Sequence, residues 1–298
     1  MTLLPLSGSE PIFDSYVWAS DKYKNAANCY DYALADCHLR FEKTTPGDND
    51  LKREGHDREL FGPIMQTFCN TKKCAKEREK FNKDYIDRVL DDNEGHIKVI
   101  DISVKCEPGW YKVMSFISYG PEQDFHWYRQ NQGVRYKILE GDSIQKIAKM
   151  FGATEQDVSE ALKGARKPLG EFDGVFSDID YIHTVKNTNE QVPQKYIGEV
   201  ITIPCNIWSH KQGWGNGPLV TDAKHKIIIN PKEAATFYDD LHYKYLCSFA
   251  VQSGKVHTGA TGDNNTPEAK TQNFAHHLNR RVIPNALNVR KIVPRLQS

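Results

Sequence analysis

The tightest constraint on this chain is a small unit that begins and ends inside a larger pattern. Over residues 135–205 the sequence reads strand, turn, helix, helix, strand: "YKIL", "EGDS", "IQKIAKMFG", "TEQDVSEALKG" and, after a polar stretch, "YIGEVITIP". Ile144, Ile147, Ala148 and Phe151 recur at helical spacing, and Gly152 stands where such a helix ends. Thr154, with Asp157 three residues on, writes a capping box for the second helix. Ile138 and Val158 complete an expected core, and Pro204 is expected to stop the closing strand. When this unit is set aside, "DFHWYRQNQG" runs on to "NIWSHKQG", two strand-like pieces that become neighbours. The arrangement expected is a hairpin carrying a guest at its tip, because exposed tips tolerate insertion.

The host is then residues 1–134 with 206–250. Its "NAANCYDYALADCHLRF" has helical spacing with Asn28 placed to cap a start at about Cys29. A polar Pro/Gly loop follows, then a charged helix in "KCAKEREKFNKDYIDRVLDD" with Phe81, Tyr85, Ile86 and Val89 as its apolar stripe. "HIKVIDIS", "GWYKVMSFIS" and "DFHWYRQ" are β-branched and aromatic, and "KHKIIINP" also reads as a strand. Helices followed by a run of strands predict an α+β fold with a helix-plus-antiparallel-sheet host. Residues 251–298 read as a Gly/Thr/Asn-rich linker and a basic C-terminal arm.

Charge excludes some partners. Basic and acidic residues balance at 39 each, so the overall field favours neither specific nucleic acid nor an anionic membrane. No apolar run approaches the ~18 residues of a membrane span, and the first residues lack the basic and apolar regions of a signal peptide. Cytoplasmic synthesis is the expectation. The seven cysteines are spread along the chain, which suits reduced thiols better than a disulfide framework. Cys69 and Cys74 in "CNTKKC" could form half a zinc site, but no second pair follows at suitable spacing, so neither metal nor cofactor is expected.

Three host residues form a candidate catalytic set. Cys29 starts a helix, where unpaired N–H groups favour a thiolate. Strand alternation puts Asp124, His126 and Tyr128 on one face, and Trp208 with His210 on another strand. Cys29, His126 and His210 thus fit nucleophile, base and orienter in chain order. The competing explanation is burial: cysteine is among the most buried residue types, and a histidine between Phe125 and Trp127 can be a hydrogen-bonded core residue.

The inserted unit resembles the LysM family, on Gly141, Asp142, Ser143, Ile144, Ile147, Ala148, Phe151, Gly152, Leu162, Gly198, Ile201, Ile203 and Pro204. That resemblance implies a βααβ module binding N-acetylglucosamine-containing glycans, chitin or peptidoglycan, through the loop of Gly141, Asp142, Ser143 and Ile144. Between Leu162 and Tyr196 the chain is longer than the family pattern and carries "EFDGVFSDIDYIHTV" beside that surface, so a packing or protein-binding role stays open. The host resembles papain-like thiol hydrolases of the NlpC and CHAP type found in bacteria, phages and large viruses. Here the resemblance implies Cys29 as nucleophile, His126 as base and His210 as the group that orients it. The backbone N–H of Cys29, with Asn28, would stabilise the oxyanion. The Asp-Cys-Ser-Gly surroundings of the NlpC nucleophile are absent.

Two functional classes follow. One is a thiol amidohydrolase or peptidase acting on cell-wall or peptide amide bonds, packaged in a virus or phage particle. The other is a non-catalytic structural component, such as a minor capsid protein of a large virus. It would use the same folds as scaffolds, and the basic arm would order on a protein partner.

Overall fold

The structure, a computed structural model, describes residues 3–36, 44–47, 72–119, 123–168, 191–213, 215–238 and 241–258. Cys37, Cys69, residues 169–190 of the expected module and the expected C-terminal arm lie outside the described residues.

Helices and a mainly antiparallel eight-stranded sheet make this an α+β protein. The strands are β1 (Ile12–Phe13), β2 (Ile97–Val99), β3 (Trp110–Ser118), β4 (Asp124–Lys137), β5 (Val200–Lys211), β6 (Pro218–Leu219), β7 (Phe237–Tyr238) and β8 (Leu241–Gln252). Their order is β2-β8-β3-β4-β5-β6; β7 pairs with β8, and β1 adds the one parallel pairing among them, to β4. Helices α1 (Tyr16–Ala19), α2 (Asp21–Lys24) and α3 (Cys29–Leu34) precede α4 (Lys72–Asp92), and α5 (Ile144–Phe151) and α6 (Glu155–Leu162) lie between β4 and β5.

β3 and β4 are buried along almost their whole length; β3 is mostly apolar and aromatic, as a strand covered on both faces requires, whereas β4 also carries a run of buried polar side chains. On one face α3 and α4 bring Cys29, Tyr30, Phe81 and Tyr85 against Phe125, Trp127 and Phe249. On the other, Met114, Phe116, Tyr128, Trp208 and Tyr243 form a second cluster. A third cluster is continuous from Phe13, Trp18 and Tyr32 through Val134 and Tyr136 to Ile147, Phe151 and Val158.

β4 and β5 form one long antiparallel hairpin. Tyr128 lies opposite His210 at one end and Lys137 opposite Val200 at the other, with a register shift between Asn131 and Gly133. Pro204 does not stop β5: it lies opposite Gly133 at that irregularity, where a residue without an N–H interrupts little of the ladder. Gly133 is required for close approach, since a Cβ there would sit 2.9 Å from Ile203 O and 3.1 Å from Ile12 Cδ1.

Two further expectations change. "KHKIIINP" is not a strand; it makes a single bridge, Thr221 to Ile227, and supports β5 through Trp208 N–H donating to Ile228 O at 2.7 Å. The linker expected to begin at residue 251 does not begin there. Val251 lies in β8, and Thr258 is fully buried, donating from its hydroxyl to Asp31 Oδ1 at 2.5 Å and from its N–H to Asp36 Oδ2 at 2.7 Å. Polar backbone that reads as loop is here satisfied by two carboxylates on and beside α3.

Candidate active site

Asn28 caps α3. Its Oδ1 accepts from the N–H groups of Tyr30, at 2.7 Å, and Asp31, at 3.2 Å, while Asp31 Oδ2 accepts the Asn28 N–H at 2.8 Å. Its Nδ2 donates to Thr44 O at 2.7 Å. The side chain is therefore committed to holding the turn, and only its second amide hydrogen is left for the oxyanion role expected of it. Asp31 Oδ1 also accepts the hydroxyls of Thr44 and Thr258, both at 2.5 Å. The start of α3 is fixed by a buried carboxylate with three separate chain segments attached to it.

That turn delivers Cys29 to β4, where Sγ donates to the main-chain carbonyl of Phe125 at 3.6 Å. The next residue is His126, whose side chain alternation sends to the other face of β4, beside Tyr128 and away from α3. β4 outruns β5 here, for the paired register ends at Tyr128–His210, and Cys29 sits beside the stretch of β4 beyond it.

His126 and His210 meet directly. His126 Nε2 and His210 Nδ1 are 2.7 Å apart, and His210 Nε2 lies 2.9 Å from Thr221 O. A carbonyl only accepts, so His210 carries its proton on Nε2 and its Nδ1 accepts from His126 Nε2–H; this assigns the tautomers. Burial pulls the His210 pKa down to about 4, against smaller upward effects of Thr221 O and Asp222, so His210 is neutral near pH 7. In neutral His126 the acceptor nitrogen is then Nδ1.

Tyrosines surround the pair. The His126 ring lies 5.0 Å from that of Tyr128, 5.6 Å from Tyr238 and 5.2 Å from Tyr243. Tyr243 donates to Asp124 Oδ2 at 2.7 Å. Burial raises Tyr238 to about 12 and pushes Tyr128 and Tyr243 upward too, with Asp124 adding to the rise at Tyr243, so all three stay protonated donors. Little of the set reaches solvent: Cys29 is 3% exposed, His126 4% and His210 0%. Anything larger than water would reach the sulfur only through local opening.

Tyr238 and Tyr243 were absent from the sequence-derived set. The signal for Tyr243 was legible in "HYKYLCSFAV", whose alternating aromatics mark β8; the fold that returns β8 beside β3 was not.

Between β4 and α5, Asp142 and Ser143 are buried and hold the turn. Asp142 Oδ2 accepts from Tyr136 OH at 2.7 Å and from Leu139 N–H at 2.9 Å, and its Oδ1 pairs with Lys146 Nζ at 3.0 Å. Ser143 Oγ caps α5 by accepting the Lys146 N–H at 3.1 Å. Gly141, at φ +80°, is exposed, and Ile144 is half-buried against the core. What this loop presents outward is chiefly main chain.

Among the described residues Cys29, Cys106, Cys205 and Cys247 are free thiols. Among the described residues no group of His, Cys, Asp and Glu is placed to hold a metal ion, and no helix is long and apolar enough to cross a membrane. Comparison with known proteins finds no matching family model, no matching curated protein and no matching solved structure.

Proposed function

We propose that the chain is a papain-like thiol hydrolase carrying a LysM-like module, and that it cleaves amide bonds in cell-wall or peptide substrates. The supporting observation is the directed chain from His126 Nε2 through His210 to Thr221 O, lying next to the carbonyl that holds the Cys29 thiol. That chain fixes His126 in the tautomer whose Nδ1 accepts a proton, as a general base requires. In the reaction, Cys29 Sγ attacks the amide carbon and its proton passes to His126 Nδ1. Because alternation along β4 turns Phe125 and Trp127 toward Cys29 and His126 toward the opposite face, this transfer requires the start of β4 to open and bring His126 round to the sulfur. The oxyanion is held at the start of α3 by the Cys29 N–H. The C–N bond then breaks, and the amine leaves with the proton from His126. Water attacks the thioester, giving one proton to His126, and the carboxylic acid departs as that proton returns to sulfur.

A LysM-like module would hold the enzyme at a glycan polymer and raise its local concentration there. The strand-helix-helix-strand order and the main-chain loop at Gly141 are consistent with this role. Packaging in a virus or phage particle, with the basic arm docked on a protein partner, would bring such an enzyme to its polymer.

The burial of Cys29 and His210 favours a second reading, a structural component of a large particle in which the fold is kept and the chemistry is not. Alkylation of native protein, read on the Cys29 peptide by mass spectrometry, separates the two. Modification of Cys29 without denaturant, with amide hydrolysis abolished by Cys29→Ala, is the result expected. A Cys29 that is modified only after unfolding would leave the scaffold. For the module, retention on insoluble chitin or peptidoglycan is expected; no retention on either removes the glycan partner.

A further inference from the structure

We infer that Lys211 is a positioning residue for Cys29, a buried cation that favours the thiolate; the inference rests on the hydrolase reading. Lys211 follows His210 on β5 and therefore points to the opposite face of the sheet, the face covered by α3. Two residues back on β5, Ser209 Oγ meets Tyr32 OH at 2.6 Å, and Arg129 on β4 donates to Tyr32 O at 3.0 Å. From that point the sheet runs under α3 toward its start: Lys211 on β5, then Trp127 and Phe125 on β4, with Cys29 on the Phe125 carbonyl.

Lys211 is 0% exposed. Its Nζ donates to Lys24 O at 2.9 Å and to Gly213 O, and no carboxylate pairs with it among the described residues. An ammonium buried with carbonyl partners alone is costly, and a nearby anion relieves that cost. The groups that bear on the pair are Asp31 beside Cys29 on α3, Tyr85 on α4 and Tyr243 on β8, with Arg129 of β4 farther along the same face and His126 and neutral His210 on the other. Asp31 is already shared among Asn28 N–H, Thr44 and Thr258. Both tyrosines stay protonated, and the Asp31 carboxylate, held by neutral donors, bears on Lys211 less than Cys29 does, so the Cys29 thiol is the group whose ionisation Lys211 favours. Burial lowers the Lys211 pKa to about 8, with Cys29 and then Asp31 acting against that fall. The support is thus present below about pH 8 and fades above it as Lys211 deprotonates.

The test is the pH midpoint of Cys29 alkylation, followed on its own peptide so that the other thiols do not contribute. In Lys211→Met the midpoint is expected to rise by about one unit, the low end of what an adjacent opposite charge produces, and in Lys211→Arg to stay near the parent value. If Lys211→Met does not fold, Lys211→Gln removes the charge while keeping a donor for the two carbonyls. A purely structural lysine would change stability but not the midpoint. Equal midpoints in the parent and the neutral variant overturn this inference and leave the hydrolase reading standing. A parent Cys29 that never alkylates natively overturns both.

Discussion

The half of the β4–β5 hairpin that carries α5 and α6 buries Val134, Tyr136, Ile201 and Ile203 against Ile147, Phe151 and Val158. The other half buries His126, Arg129, Gln130, Asn131, Ser209, His210 and Lys211. The two halves share strands and differ in what they place inside them. The first gains from apolar area removed from water; of its few buried polar groups, Asp142 and Ser143 serve the turn and Arg135 pairs with Asp14. The second spends free energy on desolvated polar side chains that each need a partner. A stretch of sheet with so many buried polar groups is where a function is to be sought.

The sharpest way to break this contrast is Phe151→Ala. The side chain is 1% exposed and meets Tyr136 edge-on with ring centroids 5.4 Å apart. A cavity there should cost about 3–5 kcal/mol in denaturant unfolding. Because the His126–His210 pair lies at the opposite end of the hairpin, its pH behaviour should be unaltered. If Phe151→Ala were instead nearly neutral, the apolar half would not be the stabilising one.

Next in size is the cost of burying His210. Its folded pKa, about 4, lies below the ordinary 6.5, so between these values the unfolded chain binds more protons than the folded one. Stability therefore falls as pH drops from 6.5 to 4 and is fully present above 6.5. The loss from this group is about 3 kcal/mol. His210→Gln should flatten that part of the stability curve measured by denaturant titration at successive pH values. An unchanged slope would assign the pH dependence to carboxylates elsewhere.

The contrast was only half legible in sequence. Residues 136–162 announce their structure because every signal in them is local: helix periodicity, the Ser143 and Thr154 caps and the glycine at φ +64° closing α5. The α3 start was legible for the same reason, through Asn28. What remained hidden depends on pairing distant in sequence. Nothing local says that Tyr243 returns beside His126, that Lys211 turns back under α3, or that Thr258 closes on Asp31. The strand break expected at Pro204 failed because a proline opposite a glycine at a register shift is harmless, which the isolated residue cannot reveal.

Gly133 lies at the seam between the halves. Its replacement by alanine would push a Cβ to 2.9 Å from Ile203 O and toward Ile12 of β1, contacts that only a shift of backbone can relieve. The expected cost is about 1–3 kcal/mol. Nuclear magnetic resonance shifts should change on both sides of the seam, from Val134 toward Tyr136 and from Asn131 toward Tyr128. Changes confined to one side would mean that the two halves are mechanically separate despite their common strands.

The smallest effect sharpens the module's proposed role. Ser143→Ala removes the acceptor for the Lys146 N–H and should cost about 1 kcal/mol of stability, a usual value for a lost cap. Since Ser143 is fully buried, the alanine variant presents the same outward surface at Gly141 as the parent. Glycan retention, where the parent shows it, should therefore survive Ser143→Ala under conditions in which the protein stays folded. A tenfold loss of retention at unchanged stability would mean that the serine hydroxyl reaches the sugar, and that the turn opens when it binds.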